Sequence, residues 1–259
     1  MASIINATTT AGVSVQGDNS GSLQLATNNG TTAVTIDTSQ NVGIGTTSPT
    51  QRLQLNVGGA TDLYTRYTNG SFTNGFFVGL SSGGLALLAV NDNFPMQFQT
   101  NGTSRMNIAA AGQITTPFQP AFRAFRSSSV SVAASGVVVF DSTSTNIGSN
   151  YNTSNGRFTA PVTGMYQFAV QLLFEGLSNG NECECSIYVN GGGVLNFGPR
   201  VKYQADYTGF NGYVSMFASI SIYLNANDYV QAAQITSGAR TVYGSGSGVW
   251  TVFSGFLIG

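Results

Sequence analysis

Few side chains in this sequence are equipped for chemistry, and their types limit what that chemistry can be. Among 259 residues there is no histidine, and there are two cysteines and ten carboxylates. Without histidine there is no Ser-His-Asp or Cys-His relay, and the commonest ligand for zinc, copper or iron is missing. Cys183 and Cys185 stand two apart, so on a strand both point to one face. No other cysteine or histidine exists to complete a metal site. They read as free thiols packed in a core, in keeping with assembly in a reducing compartment. Glu182 and Glu184 alternate with them and share the opposite face, turned to solvent or to a neighbouring subunit.

Two carboxyl groups about 5–10 Å apart on a glycan cleft would allow glycoside cleavage. The candidates are Glu175, Glu182, Glu184, Asp206 and Asp228. None shows a pattern beyond strand alternation, so the expectation is no catalytic, cofactor-binding or metal-binding residue and no enzyme. Tyr203, Tyr207, Phe210 and Tyr213 cluster in a glycine-containing segment. Such rings stack on sugars or fill a subunit interface; the interface is the preferred reading, with a receptor site the alternative. Gly43-Ile-Gly45 fails as a phosphate loop, because no helical pattern follows it and no basic residue is placed beside it. Small residues at a crowded β-turn account for it.

The elements that must position these residues follow from composition. Only 7% of the chain is charged, with one lysine and three glutamates, whereas helices draw their wet faces from Glu, Lys and Arg. Hydrophobic residues make up 42% and aromatics 11%, too many for a disordered chain. An all-β fold with hydroxyl and amide surfaces is expected. Nine basic against ten acidic residues give a net charge of −1 without a basic run. That excludes a phosphate-neutralising face and so nucleic acid as a partner. A charge-poor surface does little to keep copies apart, so an oligomer is expected. Residues 1–6 lack a signal-peptide pattern, and the longest apolar stretch, 83–90, is far short of the ~20 residues of a membrane helix. No membrane insertion is expected.

Along the chain, 22–25 and 33–36 alternate around Asn28-Asn-Gly30, a hairpin signal. Asn29-Gly-Thr-Thr-Ala-Val-Thr-Ile36 matches Asn101-Gly-Thr-Ser-Arg-Met-Asn-Ile108 at a spacing of 72, which suggests one hairpin used twice with further strands between, over 73–98. Thr116-Pro-Phe-Gln-Pro120 marks a boundary, since two prolines in five residues discourage helix and central strand. Residues 1–118 form a short-strand region and 119–259 a second domain. Strands are expected at 121–126, 137–141, 156–160, 164–174, 183–189, 213–224, 228–235 and 249–258, the spacing of a β-sandwich. Tyr166, Phe168, Val170 and Leu172 share a strand face, and Phe253, Phe256 and Ile258 are expected in the core.

Two resemblances join this reading. The segment Asp18-Asn-Ser-Gly-Ser-Leu-Gln-Leu-Ala-Thr-Asn-Asn-Gly-Thr-Thr-Ala-Val-Thr-Ile-Asp37, running into Asn41-Val-Gly-Ile-Gly-Thr-Thr-Ser-Pro49, resembles a motif of tailed-bacteriophage fibre and virion-surface proteins. It implies a trimeric, β-rich virion component. Pro120-Ala-Phe-Arg-Ala-Phe125, residues 150–168, Tyr223-Leu-Asn-Ala-Asn-Asp-Tyr-Val230 and Phe253-Ser-Gly-Phe-Leu-Ile258 resemble, in order, the globular head of complement C1q and its tumour-necrosis-factor relatives. Asn227 stands where that family usually has glycine. This second resemblance implies a ten-stranded jelly roll that trimerises, with Asp206 and Asp228 as weak candidates for calcium.

The function expected is a structural virion protein of a tailed phage. It would be a homotrimeric capsid decoration (cement or head-fibre) protein on the virion surface, assembled in the host cytoplasm, with the major capsid protein or another virion protein as partner. The alternatives are a short tail fibre or receptor-binding protein recognising host surface glycan and, more distantly, a polysaccharide depolymerase.

Overall fold

The computed structural model describes residues 21–27, 30–71, 73–191, 201–206, 212–247 and 249–259. It is all-β, with no helix among them, so no helix long and apolar enough to cross a membrane is present there. The chain divides into two compact units, 1–96 with 108–113, and 97–107 with 114–259.

Among the described residues, ten short strands precede residue 120. β1 (Leu23–Thr27), β2 (Thr31–Ile36), β3 (Val42–Ile44) and β4 (Leu53–Leu55) form a sheet in that order. The expected hairpin is β1–β2, antiparallel from Leu23↔Ile36 to Thr27↔Thr31; its turn residues Asn28 and Asn29 lie outside the described residues. β5 (Leu63–Tyr67), β6 (Phe76–Leu80) and β7 (Ala86–Val90) form a second sheet. β8 (Met96–Thr100), β9 (Thr103–Ile108) and β10 (Ile114–Thr115) form a third, ordered β10-β9-β8.

The 72-residue repeat is a repeated structure. β2 and β9 are its two copies, and each runs into the same turn. Asp37 N donates to Asn41 O at 3.0 Å and Gln40 N to Asp37 O at 2.9 Å; Ala109 N donates to Gln113 O at 2.9 Å and Gly112 N to Ala109 O at 2.8 Å. Gly43 and Gly45 are small because the turn is crowded. A Cβ on Gly43 would lie 2.6 Å from Thr46 O, and Gly45 has φ +74° against the Asn56 carbonyl.

Twelve further strands among the described residues make two facing sheets. They are β11 (Ala121–Phe125), β12 (Ser128–Val132), β13 (Ser142–Ile147), β14 (Tyr151–Asn152), β15 (Arg157–Thr159), β16 (Gly164–Leu177), β17 (Glu182–Val189), β18 (Val201–Gln204), β19 (Gly212–Leu224), β20 (Tyr229–Gln234), β21 (Arg240–Ser245) and β22 (Val252–Leu257). One sheet orders β12-β21-β16-β22-β11-β13 with β19 paired to β16; the other orders β14-β15-β20-β17-β18. The fourteen-residue β16 organises the first. One edge pairs β19 along its length, while the other pairs β22 over Tyr166–Gln171 and β21 at Phe174 and Glu175.

The core lies between these sheets, and Tyr166, Phe168, Val170, Leu172 and Phe174 of β16 are all fully buried. Phe122 stacks on Tyr151 at 4.8 Å and on Phe158 at 4.9 Å, and meets Phe253 edge-on at 5.0 Å. Every member of the two buried apolar clusters lies at or beyond Phe122, so the short strands before it contribute none.

Three expectations need correction. Phe256 and Ile258 are about half exposed, at 50% and 51%, while Phe253 is fully buried. Strand side chains alternate, so with Phe253 inward Phe256 is out of phase, and Ile258 lies beyond the strand end. Residues 137–141 form no strand; they contain one isolated bridge, Val137↔Ala233. Val138 and Phe140 are buried there; Val138 N donates to Ala232 O of β20 at 2.9 Å beside that bridge, but the residues after it are served from outside a ladder. Arg126 Nη1 donates to Val139 O at 2.9 Å, and Phe140 N donates to Tyr151 Oη at 3.2 Å. Five strands, β12, β13, β14, β18 and β21, were not expected.

A methyl group on Gly255 would sit 2.7 Å from Cε1 of Phe168 and 2.9 Å from Cε1 of Phe122. Overpacking of this kind costs about 1–3 kcal/mol. Gly255→Ala should therefore lower the thermal midpoint of the full-length protein, measured by calorimetry, whereas Gly246→Ala, a surface-turn glycine with no contact under 3.9 Å, should not.

Candidate interaction face

The outer face of the seven-stranded sheet gathers several exposed apolar residues, with one of the sequence-derived candidates, Tyr213, at its end. Directly opposed residues of antiparallel strands share a face. The register sets Met165 beside Tyr223, Gln171 beside Phe217 and Val252, and Gln167 between Ser221 and Phe256. Met165, Phe217, Tyr223 and Phe256 are all exposed. Between them the surface is polar without charge: Gln167 Nε2 donates to Ser219 Oγ at 2.7 Å, and Ser221 Oγ donates to Gln167 Oε1. Four large apolar side chains around a neutral hydrogen-bonded centre make a surface that another protein can bury at low desolvation cost.

At one end of this face lies a cleft of about 480 Å³, lined by Gln171, Leu173, Tyr213, Ser215, Tyr243 and Trp250. Tyr213 and Tyr243 meet edge-on at 5.5 Å, and Tyr213 and Trp250 are 61% and 54% exposed. Of the four aromatic candidates, Tyr213 is in this cleft. Tyr203 is exposed on β18, at the edge of the other sheet, and Tyr207 and Phe210 lie outside the described residues. Sequence reading missed Tyr243 and Trp250, which are far from the cluster in sequence; the pairing of β21 with β16 brings the Tyr243 strand to this side.

The carboxylates do not assemble. Glu175 is on β16, Glu182 and Glu184 are on β17 in the opposite sheet, and Asp228 is in the β19–β20 turn. Glu182 Oε1 pairs with Lys202 Nζ at 2.7 Å. Glu184 was expected to face solvent or a neighbouring subunit and is instead buried, at 4% exposure. Tyr188, on the same face of β17, is buried as well and packs with Val137, Ala233 and Ile235, so alternation there does not mean one dry and one wet face. Both oxygens of Asp228 are engaged: Oδ2 accepts Asn225 N within its turn and Oδ1 accepts Asn190 Nδ2 from just beyond the end of β17, each at 2.8 Å. The Asn190 bond foremost holds its carboxyl below the ordinary value. Asn227 takes φ +74° in that turn, a conformation asparagine tolerates. Asp206 is exposed, and no group of three or more potential ligands occurs among the described residues.

Cys183 and Cys185 are free and fully buried on the inner face of β17. Burial pushes the Cys183 thiol up to about 11 and Cys185 up to about 12.

Residues 121–258 match the C1q domain. Solved structures similar in fold include the globular domain of zebrafish complement 1qA (19% identity, TM-score 0.39, 54% of this chain and 98% of that one). The Eiger TNF of S. frugiperda (12%, 0.42, 54% and 93%) and murine APRIL (14%, 0.40, 54% and 99%) are also similar. None of the curated proteins compared matches.

The thiols and the absence of histidine set the pH response. A folded-state value above the unfolded 9.0 leaves the thiols' contribution intact below about pH 9 and removes it as the pH climbs toward the folded values. Tyr151 and Tyr166, raised from 10.0 by burial, act in the same direction. The thermal midpoint should stay level from about pH 6 to 8.5 and fall above about pH 9, less steeply in Cys183→Ala/Cys185→Ala. Ellman's reagent should find no reactive thiol in the native protein at pH 8; two fast-reacting thiols would refute the buried assignment.

Proposed function

Because this chain belongs to the C1q domain family, we propose that it is a homotrimeric structural protein of a tailed-phage virion, a capsid decoration protein displayed on the particle surface. The observation that carries the trimer is the exposed face bearing Met165, Phe217, Tyr223 and Phe256. Fully burying a side chain of this class contributes about 1.5–3 kcal/mol, repeated at each of three symmetric contacts. The virion role rests on the fibre-type segment 18–49, and the absence of any basic run fits a protein partner, such as the major capsid protein, over nucleic acid. The strands before residue 120, with no buried apolar cluster of their own, are the part that gains from pairing with another surface.

A second reading, a tail fibre or receptor-binding protein that recognises host surface glycan, is favoured by one observation. The cleft with Tyr213, Tyr243 and Trp250 offers aromatic rings beside the amide of Gln171 and the hydroxyl of Ser215, groups that stack on and hydrogen-bond to a sugar. Neither reading requires catalysis.

Sedimentation should give 81 kDa, three times the 27.0 kDa chain, at micromolar concentration, and Phe256→Asp should shift it toward monomer. A stable wild-type monomer would refute the trimer. Cryo-electron microscopy of particles should find copies at capsid lattice sites; a handful of copies at the tail, with Trp250→Ala abolishing glycan binding, would favour the second reading.

A further inference from the structure

Among the described residues nothing buries one complete face of the three-stranded sheet β5-β6-β7. Its register places Leu63, Thr65 and Tyr67 beside Leu80, Val78 and Phe76, and those beside Ala86, Leu88 and Val90. These nine side chains share a face, and Thr65 is its one polar member. Leu88 is 62% exposed, Tyr67 58% and Leu80 52%, and no residue of the three strands is buried. The opposite face is occupied differently. Tyr64 meets Phe77 edge-on at 5.5 Å, and Arg66 lies over the Phe77 ring at 5.5 Å while its Nε donates to Asn74 O at 2.9 Å. The sheet's one charged side chain is therefore on the other side.

We propose that the Leu63–Leu80–Leu88 face is covered by the same face of other copies of this chain, an oligomeric contact separate from that of the jelly roll. The inference rests on the trimer proposed above. Three features select a second copy as the occupant. The face carries no charge, so identical faces meet without repulsion and without stripping water from an ion, whereas a charged partner would find nothing to pair with. A three-stranded sheet draws its stability from its hydrophobic face, which gains most when it is buried, and another copy of the chain is at hand whenever the sheet folds. The size of the patch then explains the dependence on the trimer. Strands of five residues are roughly 17 Å long and lie about 4.8 Å apart, which makes a patch well under the about 800 Å² per partner of a stable interface. Free copies would separate. Copies tethered through a trimeric domain meet at millimolar effective concentration, where a patch this small holds.

The test uses full-length protein carrying Leu88→Cys or Ala89→Cys, adjacent positions on opposite faces of β7, treated with a short bismaleimide and read on a denaturing gel. The buried native thiols stay silent. Leu88→Cys should give covalent dimers in several-fold higher yield than Ala89→Cys. If Leu88→Cys does not fold, Val78→Cys, its cross-strand neighbour, replaces it with the same expectation. No crosslink at 88 or 78, or equal yield on both faces, overturns the contact, and the cover would then be a different molecule. Sedimentation of the same samples separates the two failures: a trimer without face-specific crosslinks sinks this contact alone, while a monomer sinks the trimer and this contact together.

Discussion

The close approach of rings across Gly255 is the constraint on which the rest of the C-terminal domain depends. Phe122 from β11 and Phe168 from β16 occupy the volume that a Cβ at this position would fill, and Phe158 packs against both, at 4.9 and 5.4 Å. A side chain at 255 would push β22 away from the opposite sheet. Its absence seats β22 between β11 and β16 in one register. Strand parity then does the remaining work: with Phe253 and Gly255 inward, Phe256 must point out, and with Tyr166 and Phe168 inward, Met165 and Gln167 must point out. The exposed apolar face is thus the obligatory reverse of the aromatic core.

That dependence explains which parts of the fold were legible in the sequence. β16 was, because five large apolar residues recur with period two and every one is fully buried. The repeat was legible because turns are local: the hydrogen-bond pattern of 37–41 recurs at 109–113, even with alanine where the first copy has Asp37. Phe256 was misread through size alone; it stands three residues from Phe253, and an odd separation cannot keep both on one face. β13, Ser142-Thr-Ser-Thr-Asn-Ile147, escaped because hydroxyl residues show no apolar alternation, and its pairing to β11 is a long-range fact. Segment 137–141 has the alternation of a strand without the ladder, since Arg126 and Tyr151 supply hydrogen bonds that a neighbouring strand would otherwise make.

The same distinction governs the site. The inward direction of Cys183 and Cys185 followed from pattern, whereas the burial of Glu184 did not, because strand alternation says nothing of what packs on the second face, where Val137, almost fifty residues away, packs with Tyr188 of β17. The aromatic cleft was half legible. Tyr213 belongs to a visible cluster, but Tyr243 joins it only through the pairing of β21 with β16 at Phe174 and Glu175.

Low charge ties these surfaces together. Transferring a neutral amide or hydroxyl out of water costs little when its hydrogen bonds are retained, and an ion costs far more. The centre of the exposed face keeps its bonds internally, Gln167 with Ser219 and Ser221, so burial there strips few unsatisfied groups. Where charge does occur it is mostly committed: Arg126 to Asp141 at 3.1 Å and to the Ser128 and Val139 carbonyls, Arg157 over the Tyr229 ring at 4.0 Å, and Arg66 over Phe77. A chain of this kind has little electrostatic repulsion to hold its copies apart and presents faces that lose little on contact. The composition that leaves few ionisable side chains is therefore also the composition that lowers the repulsion between copies, and both follow from replacing ions with hydroxyl and amide groups on the outer sides of the strands.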